Sequence, residues 1–520
     1  MSVLDFFRRK PEPQAMQSIR RSASPTKATK YGSDKYGPIR YGAYVDRETT
    51  VIRERSRGAY HESTIAHGMA ERLTDTVINT GLTFESSPIW DLIPGAPQTE
   101  EQHYQKTQEI EHLFNLWSNS KEPDHHGLLT FGQLQRLAYR TSFVDGEVTA
   151  IIRYRNALDR ISPVAVQLLN ADHISTPYNN AEVKAVESRG GRIQDGIEYD
   201  ASGEAVALYY QEDYTKKHVR IAFKGPRSGR TFVVRHMHID EPGQSRGFPE
   251  LDSIVYELSR LTEYDIAELE AVVASAAWMA SIETDTNAPA DPKAVKFKPN
   301  LPQRADTAAE REYGTTTVDT GKFALIQNTL EPGQTMKMFT MTRPNPNYSA
   351  FVDAFESRLA GAIGMPLSVL RQKFEGSYSS ARAEILFFWM NVQARRKDFA
   401  DGFLNPIYEA VFTEWVRAGE ITANGYLGSK KVRLAWLAGS WNGINRPNVD
   451  PLKEVAAIER RERLGHTTKE REAKAYNGSD YRENIERLKT ENALIADVNE
   501  PLRGDPQNGG RPRSTERREE

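Results

Sequence analysis

The chain has 520 residues, enough for roughly three or four compact units, with 38% hydrophobic and 27% charged residues. It contains no cysteine, which excludes disulfides, thiolate metal sites and cysteine nucleophiles. Its formal net charge of -3 argues against a protein that grips nucleic acid over a broad face, while leaving room for one that lets nucleic acid pass.

The opening stretch, MSVLDFFRRKPEP, has too short an apolar run for a signal peptide, and residues 1–40, rich in Ser, Pro, Gly, Lys and Arg, read as a flexible arm. Helical periodicity begins in ESTIAHGMAERLTDTVINTG, where Ile65, Met69, Leu73 and Val77 lie four apart and Gly81 is a stop. Two further helices are predicted around EEQHYQKTQEIEHLFNLWSN and TFGQLQRLAYRTSFVDGE. Strand pattern then takes over in EVTAIIRYR, VAVQLLNADHI, GIEYDASGEAVALYY and RTFVVRHMHI, with Asp200–Gly203 as a hairpin turn. The first part is therefore α+β.

From Pro249 to about Ile282 the sequence predicts one long helix, with an apolar stripe from Leu251 to Ala276; about 34 residues would make a rod of about 50 Å. Residues 283–345 are proline-broken and then strand-like in TTTVDTGKFALIQ and QTMKMFTMT, a small β insertion. A second helix follows from Asn347, with Phe351, Phe355, Leu359 and Ile363 four apart and Gly364 and Pro366 ending it. Two helices thus bracket a small β module, as a stalk carries a tip. Next, LRQKFEG and YSSARAEILFFWM predict a charged, hydroxyl-rich loop and then a helix capped by Ser379 or Ser380, with Ile385, Phe388, Trp389, Val392, Phe399 and Phe403 on its apolar face and a restart near Pro406. Taken alone this reads as a surface loop before a core helix. Residues 451–497 form charged helices divided by Gly465 and Gly478, and residues 498–520 read as disordered.

Chemistry is sparse. GTTTVDTGKF has the wrong spacing for a phosphate-binding loop and Phe323 where Ser or Thr is needed. No GxSxG or HExxH pattern occurs. His236 and His238 share one strand face, half of a metal site without a third ligand, so a hydrogen-bonded pair is the expectation. Asp124–His126 is expected to be solvated. Glu263, Asp265, Glu268 and Glu270 form an acidic helix face, solvated or lining a channel. No catalytic residue, metal or cofactor is expected.

RHMHIDEPGQSRGFPELDSIVYELSRLTEYDIAELEAVVASAAWMASIET resembles the signature of lambda-like tailed-phage portal (connector) proteins: a strand ending in His, a Pro-Gly-Gln-x-Arg-Gly turn, then the stem helix. TTVIRERSRGAYHESTIAHGMAERLTDTVINTG, TFGQLQRLAYRTSFVDGE, VAVQLLNADHISTP, LEPGQ, YSSARAE and NVDPLKEVAAIERRERLGHTTKEREAKAYNGSD resemble other family segments in the same order, over roughly residues 50–490. The resemblance implies a mainly helical α+β portal fold: arm 1–40, wing 41–245, stem helix 246–282, clip 283–345, second stem helix 346–365, tunnel loop and long wing helix 366–450, crown 451–497 and tail 498–520. It also implies a closed ring, usually of twelve, at one capsid vertex of the virion, assembled in the host cytoplasm. Double-stranded DNA would enter and leave through that ring. The implied partners are the terminase large subunit, major capsid protein, scaffold and head-completion or adaptor proteins, with no membrane. Arg371, Lys373, Phe374, Glu375, Tyr378 and Arg382 would form the tunnel loop facing DNA, and Glu263, Asp265 and Glu268 an acidic stem lining. The alternatives are another minor head protein without a channel and a metal-dependent nuclease.

Overall fold

The computed structural model describes residues 45–155, 159–212, 217–240, 242–276, 280–284, 334–338, 345, 347–374, 377–444, 451–477 and 481–498. The chain divides into two compact units, one made of the sequence up to Leu258 together with that from Glu356 onward, the other of Ser259–Phe355.

The first unit opens with α1 (Val45–Glu62) and α2 (Thr64–Val77). Ser63 separates them because its Oγ accepts from the Ala66 N–H at 3.3 Å and caps α2. Met69, Leu73 and Val77 are buried along one face of α2, as their four-residue spacing requires. After β1 (Thr83–Ser86) come α3 (Glu100–Asn119), capped by Thr99 with Glu100 and Glu101 at its positive end, and α4 (Phe131–Asp145), opened by a reciprocal Thr130/Gln133 capping box. The loop leading into α4 departs from expectation. Asp124 is only 5% exposed, because its carboxylate accepts from the backbone N–H groups of His126, Leu128 and Leu129 and so shapes the turn.

β2 (Glu147–Tyr154) and β3 (Val164–Leu169) pair antiparallel. α5 (Asn180–Glu187) leads into a four-stranded antiparallel meander of β4 (Arg192–Gln194), β5 (Ile197–Tyr199), β6 (Ala205–Tyr210) and β7 (Val219–Ala222). The expected Asp200–Gly203 turn joins β5 to β6, its Asp200 carboxylate accepting from Ser202 and Glu204 N–H at 2.8 and 2.9 Å. β8 (Val233–Met237) then returns to the other edge of β2, with His236 opposite Val148. Ile151, Leu169, Val233, Ile174, Ile197 and Leu208 form a buried cluster that joins the two sheets.

The long helix is shorter than the sequence suggests. α6 covers Asp252–Ala276, and residues 280–282, expected as the end of that helix, lie in strand β9 (Ala280–Thr284), paired antiparallel with β10 (Gln334–Met338). Its 25 residues give a rod of about 37 Å. The apolar run carries no period that ends the helix there; the pairing partner far downstream does. The expected strand TTTVDTGKFALIQ lies outside the described residues. In the second unit, Tyr264 on α6 packs on Phe351 with ring centroids 4.5 Å apart, and on Tyr348 at 5.9 Å.

α7 (Tyr348–Ile363) follows the predicted spacing, with Leu359 and Ile363 buried. Then come α8 (Leu367–Arg371) and α9 (Tyr378–Phe399). The restart expected near Pro406 is a π-helical turn over Ala400–Leu404, after which α10 (Asn405–Ala418) carries Pro406 in its first turn, where a missing N–H costs little. α11 (Lys430–Trp436) and β11 (Gly439–Asn442) come next, β11 pairing with β1 so that Trp441 faces Phe84. Around that pair an aromatic core gathers: Phe84 to Tyr408 at 3.9 Å, Phe114 to Tyr408 at 5.3 Å, and Trp117 to Phe131 at 5.2 Å between ring centroids. Three charged helices follow as predicted, α12 (Pro451–Arg463), α13 (Lys469–Asn477) and α14 (Tyr481–Val498). Among the described residues no helix is long and apolar enough to cross a membrane.

Candidate functional site

A buried charge centre holds the turn that precedes α6. Arg246 donates from Nε to Glu147 Oε1 at 2.6 Å, from Nη1 to the Ile174 and Asp195 carbonyls at 2.8 and 3.0 Å, and from Nη2 to the Ala171 carbonyl at 2.6 Å. Glu147 also receives Arg235 at 3.2 Å and Arg53 at 3.4 Å. Arg53 reaches Asp172 at 2.7 Å, and Arg57, one turn on, pairs with Asp145 at 2.8 Å and with Asp172. With Asp195, hydrogen-bonded to Ser245, four guanidinium groups are thus matched by four carboxylates. Burial alone would push the Glu147 carboxyl up, but the Arg246, Arg235 and Arg53 cations outweigh it and hold it at about 2. Arg53 and Arg57 of the first helix are therefore structural clamps. Their i, i+4 spacing was visible in RERSR, whereas nothing in the sequence marked Glu147 as their partner.

The neighbouring glutamine works on backbone. Gln244 donates from Nε2 to the His238 and Arg246 carbonyls at 2.8 and 2.7 Å and accepts from the Asp240 N–H at 2.9 Å.

The loop between α7 and α9 is built from short local contacts. Gln372 takes the left-handed conformation at φ +55°, and the Lys373 N–H closes onto the Ser368 carbonyl at 3.0 Å. Ser368 Oγ donates to Glu384 at 2.6 Å, tying α8 to α9. The cap of α9 is Ser377, whose Oγ accepts from the Ser380 N–H at 3.3 Å, so the helix starts earlier than the expected Ser379 or Ser380. Each of these serines can cap, and the first one allows the most helical hydrogen bonds. Ser377→Ala should cost about 1 kcal/mol and fray the first turn of α9, read as faster amide exchange at Ala381 and Arg382.

Of the six loop residues named from the sequence, Phe374 is 53% exposed, and Lys373 and Arg382 are exposed. Arg371 is drawn to Glu356 at 2.5 Å. Tyr378 is the first residue of α9, and Glu375 lies outside the described residues. On α6, Glu263 is exposed beside Arg260 at 2.8 Å. Asp265 accepts from Tyr348 Oη at 2.9 Å, and Glu268 is half-buried, so the three acids do not share one solvated face.

His236 and His238 are not free to act as a pair. The His236 ring packs edge-on against Phe399 at 5.4 Å and lies against Gly402 of the π turn, where a Cβ would come within 2.5 Å of Nδ1. Burial pushes it down to about 4, against the pull of Asp398. His238 Nε2 lies 2.5 Å from Glu250, whose carboxylate also receives Arg395. Among the described residues no three His, Cys, Asp or Glu side chains gather as metal ligands.

Comparison with known proteins places these features in a family. The family described as phage portal protein, lambda family, matches residues 39–396. Portal protein B of Escherichia phage lambda is 24% identical over 372 residues, covering 68% of this chain and 67% of that protein. The portal protein of Escherichia phage N15 is 22% identical over 391 residues, covering 71% of each. A solved chain from the neck of a native gene transfer agent particle, computed with C12 symmetry, is 12% identical over 76% of this chain and 94% of its own, at a TM-score of 0.42, too distant to carry an argument. The chain belongs to the lambda family of phage portal proteins.

Proposed function

We propose that copies of this chain close side by side into a ring, usually of twelve, at one capsid vertex. Genomic double-stranded DNA is packaged and ejected through the axial channel. The same ring docks the terminase large subunit during packaging and head-completion or adaptor proteins afterwards. It sits in a shell of major capsid protein built on scaffold in the host cytoplasm, and it carries out no reaction of its own.

Beyond family membership, the observation that supports this reading is the exposed apolar stripe of α6. Ile266, Leu269 and Val273 are 52%, 65% and 63% exposed on one face of the helix. A neighbouring copy packed against that stripe covers it, and a contact between two different faces that closes on itself makes a ring with a hole. The channel must release DNA, so its lining must not neutralise many phosphates. Glu263 suits that role best, since Asp265 is held by Tyr348. Lys373, Phe374, Arg382, Glu375 and Tyr378, with Arg371 beside Glu356, form the loop that meets the duplex.

Removing Glu375–Ser379 tests the loop's part. The shortened protein should still assemble, while phage complemented with it should package or retain several-fold less genome. Unchanged genome yield and retention would contradict the assignment.

A further inference from the structure

Arg395, on α9, holds the ends of two other helices. Its Nη1 and Nη2 donate to the two Glu250 oxygens, each at 2.7 Å, and Nη2 also reaches the Ile363 carbonyl at 3.1 Å. Its Nε donates to Asn391 Oδ1 at 3.1 Å, and Asn391 Nδ2 donates to the Gly364 carbonyl at 3.0 Å. Glu250 lies just before α6, Ile363 is the last residue of α7, and Gly364, at φ +75°, begins the loop that runs to α9. A Cβ at Gly364 would lie 2.4 Å from Asn391 Nδ2, so the amide sits directly on the helix end.

We infer that Arg395 is a positioning residue: with Asn391 it fixes the start of α6 against the end of α7 and sets the conformation of the loop beginning at Gly364. That this loop faces DNA rests on the reading above, whereas the hold itself does not.

The grip depends on protonation. His238, just past β8, is faced by Glu250, by Arg395 and Asp398 from α9, and by His236 on β8; Tyr139 of α4 lies against Arg395. Burial lowers His238, but the hydrogen bond and charge of Glu250 raise it further, leaving it above its ordinary value of 6.5. Its contribution is therefore full below 6.5 and is lost as pH rises through the folded value. Burial pushes Glu250 up, but hydrogen bonds from His238 and Arg395 hold it at about 2, so it stays charged throughout this range.

Hydrogen exchange of the full-length protein tests the inference, with the amides of Met365, Leu370 and Lys373, each hydrogen-bonded to a nearby carbonyl, as reporters. Arg395→Met should raise their exchange about tenfold or more, because a bidentate charged pair is lost, while the aromatic core around Phe114 and Phe412 keeps its protection. Arg395→Lys should restore only part, since an ammonium cannot make the fork. In the wild type, exchange at these sites should rise with pH beyond its intrinsic slope, and His238→Gln should remove the excess. A folded Arg395→Met protein with unchanged reporters would overturn the inference, and an excess that survives His238→Gln would overturn the protonation link. If Arg395→Met fails to fold, Asn391→Ala, which keeps the ion pair, must loosen the same reporters or the inference fails. Images of a particle without a hole would remove the DNA role and leave this result standing.

Discussion

Glu147→Gln should destabilise the first unit by about 3–5 kcal/mol, because it leaves the cations of Arg53, Arg235 and Arg246 around a neutral group in a buried site. Glu147 is 1% exposed, so solvent does not screen the loss. Chemical denaturation followed by tryptophan fluorescence reads the change, since Trp117 and Trp415 are buried in the same unit. Wild type and variant must be compared in the same assembly state, because subunit contacts add to apparent stability. The same group gives the wild type a defined acid sensitivity. Its folded value of about 2 is depressed from 4.5, so its contribution is full above 4.5 and is lost as pH falls towards 2, amounting to about 3 kcal/mol. The variant should lose that part of the acid dependence. Equal stability of the two proteins at neutral pH would show that Arg53, Arg235 and Arg246 do not depend on this carboxylate.

The second large effect is steric. The β-carbon of an alanine at Gly247 would lie 2.0 Å from the Gly146 carbonyl oxygen, and one at Gly146 would lie 2.2 Å from the Phe248 carbonyl carbon. Gly146 also sits at φ +84°, where an L side chain is strained. Both obstacles are backbone and cannot swing aside. Gly247→Ala should therefore cost about 3 kcal/mol or more, and the displacement falls beside Arg246, whose bonds to Glu147, Ile174, Asp195 and Ala171 require the close approach. Gly243 supplies the contrast within the same turn. It has φ +81° but nothing near its missing Cβ, so Gly243→Ala should cost only about 1 kcal/mol of backbone strain. Similar losses at the two positions would contradict the packing argument.

These two sites explain what the sequence could and could not reveal. Local pattern located α2, α4, β2, β8 and α7 well, because a buried face repeats every three to four or every two residues whatever the rest of the chain does. It overran α6, since the apolar run of Val272, Val273 and Ala276 passes without a break into Ser281 and Ile282, which β10 claims as a strand. It missed the pairing of β1 with β11, whose partners are separated by most of the chain. It placed the cap of α9 at Ser379 or Ser380 because several hydroxyls in a row give no local way to choose. The charge centre was half legible: the Arg-Gly turn stood out through its family resemblance, but Asp145, Glu147, Asp172 and Asp195 are ordinary surface residue types until folding brings them around Arg53, Arg57 and Arg246. The pairing of Arg395 with Glu250 was hidden for the same reason, and Asp124, expected to be solvated, is buried by its backbone hydrogen bonds. The loop residues Lys373, Phe374 and Arg382 are exposed, the condition for meeting a duplex, whereas Asp265 is engaged with Tyr348.

A portal role requires copies of this chain to surround a hole. Electron microscopy of the purified protein, averaged in views down the symmetry axis, shows whether that hole exists. Closed rings with a central opening wide enough for double-stranded DNA are expected; particles that stay solid on axis under every assembly condition would rule the channel out.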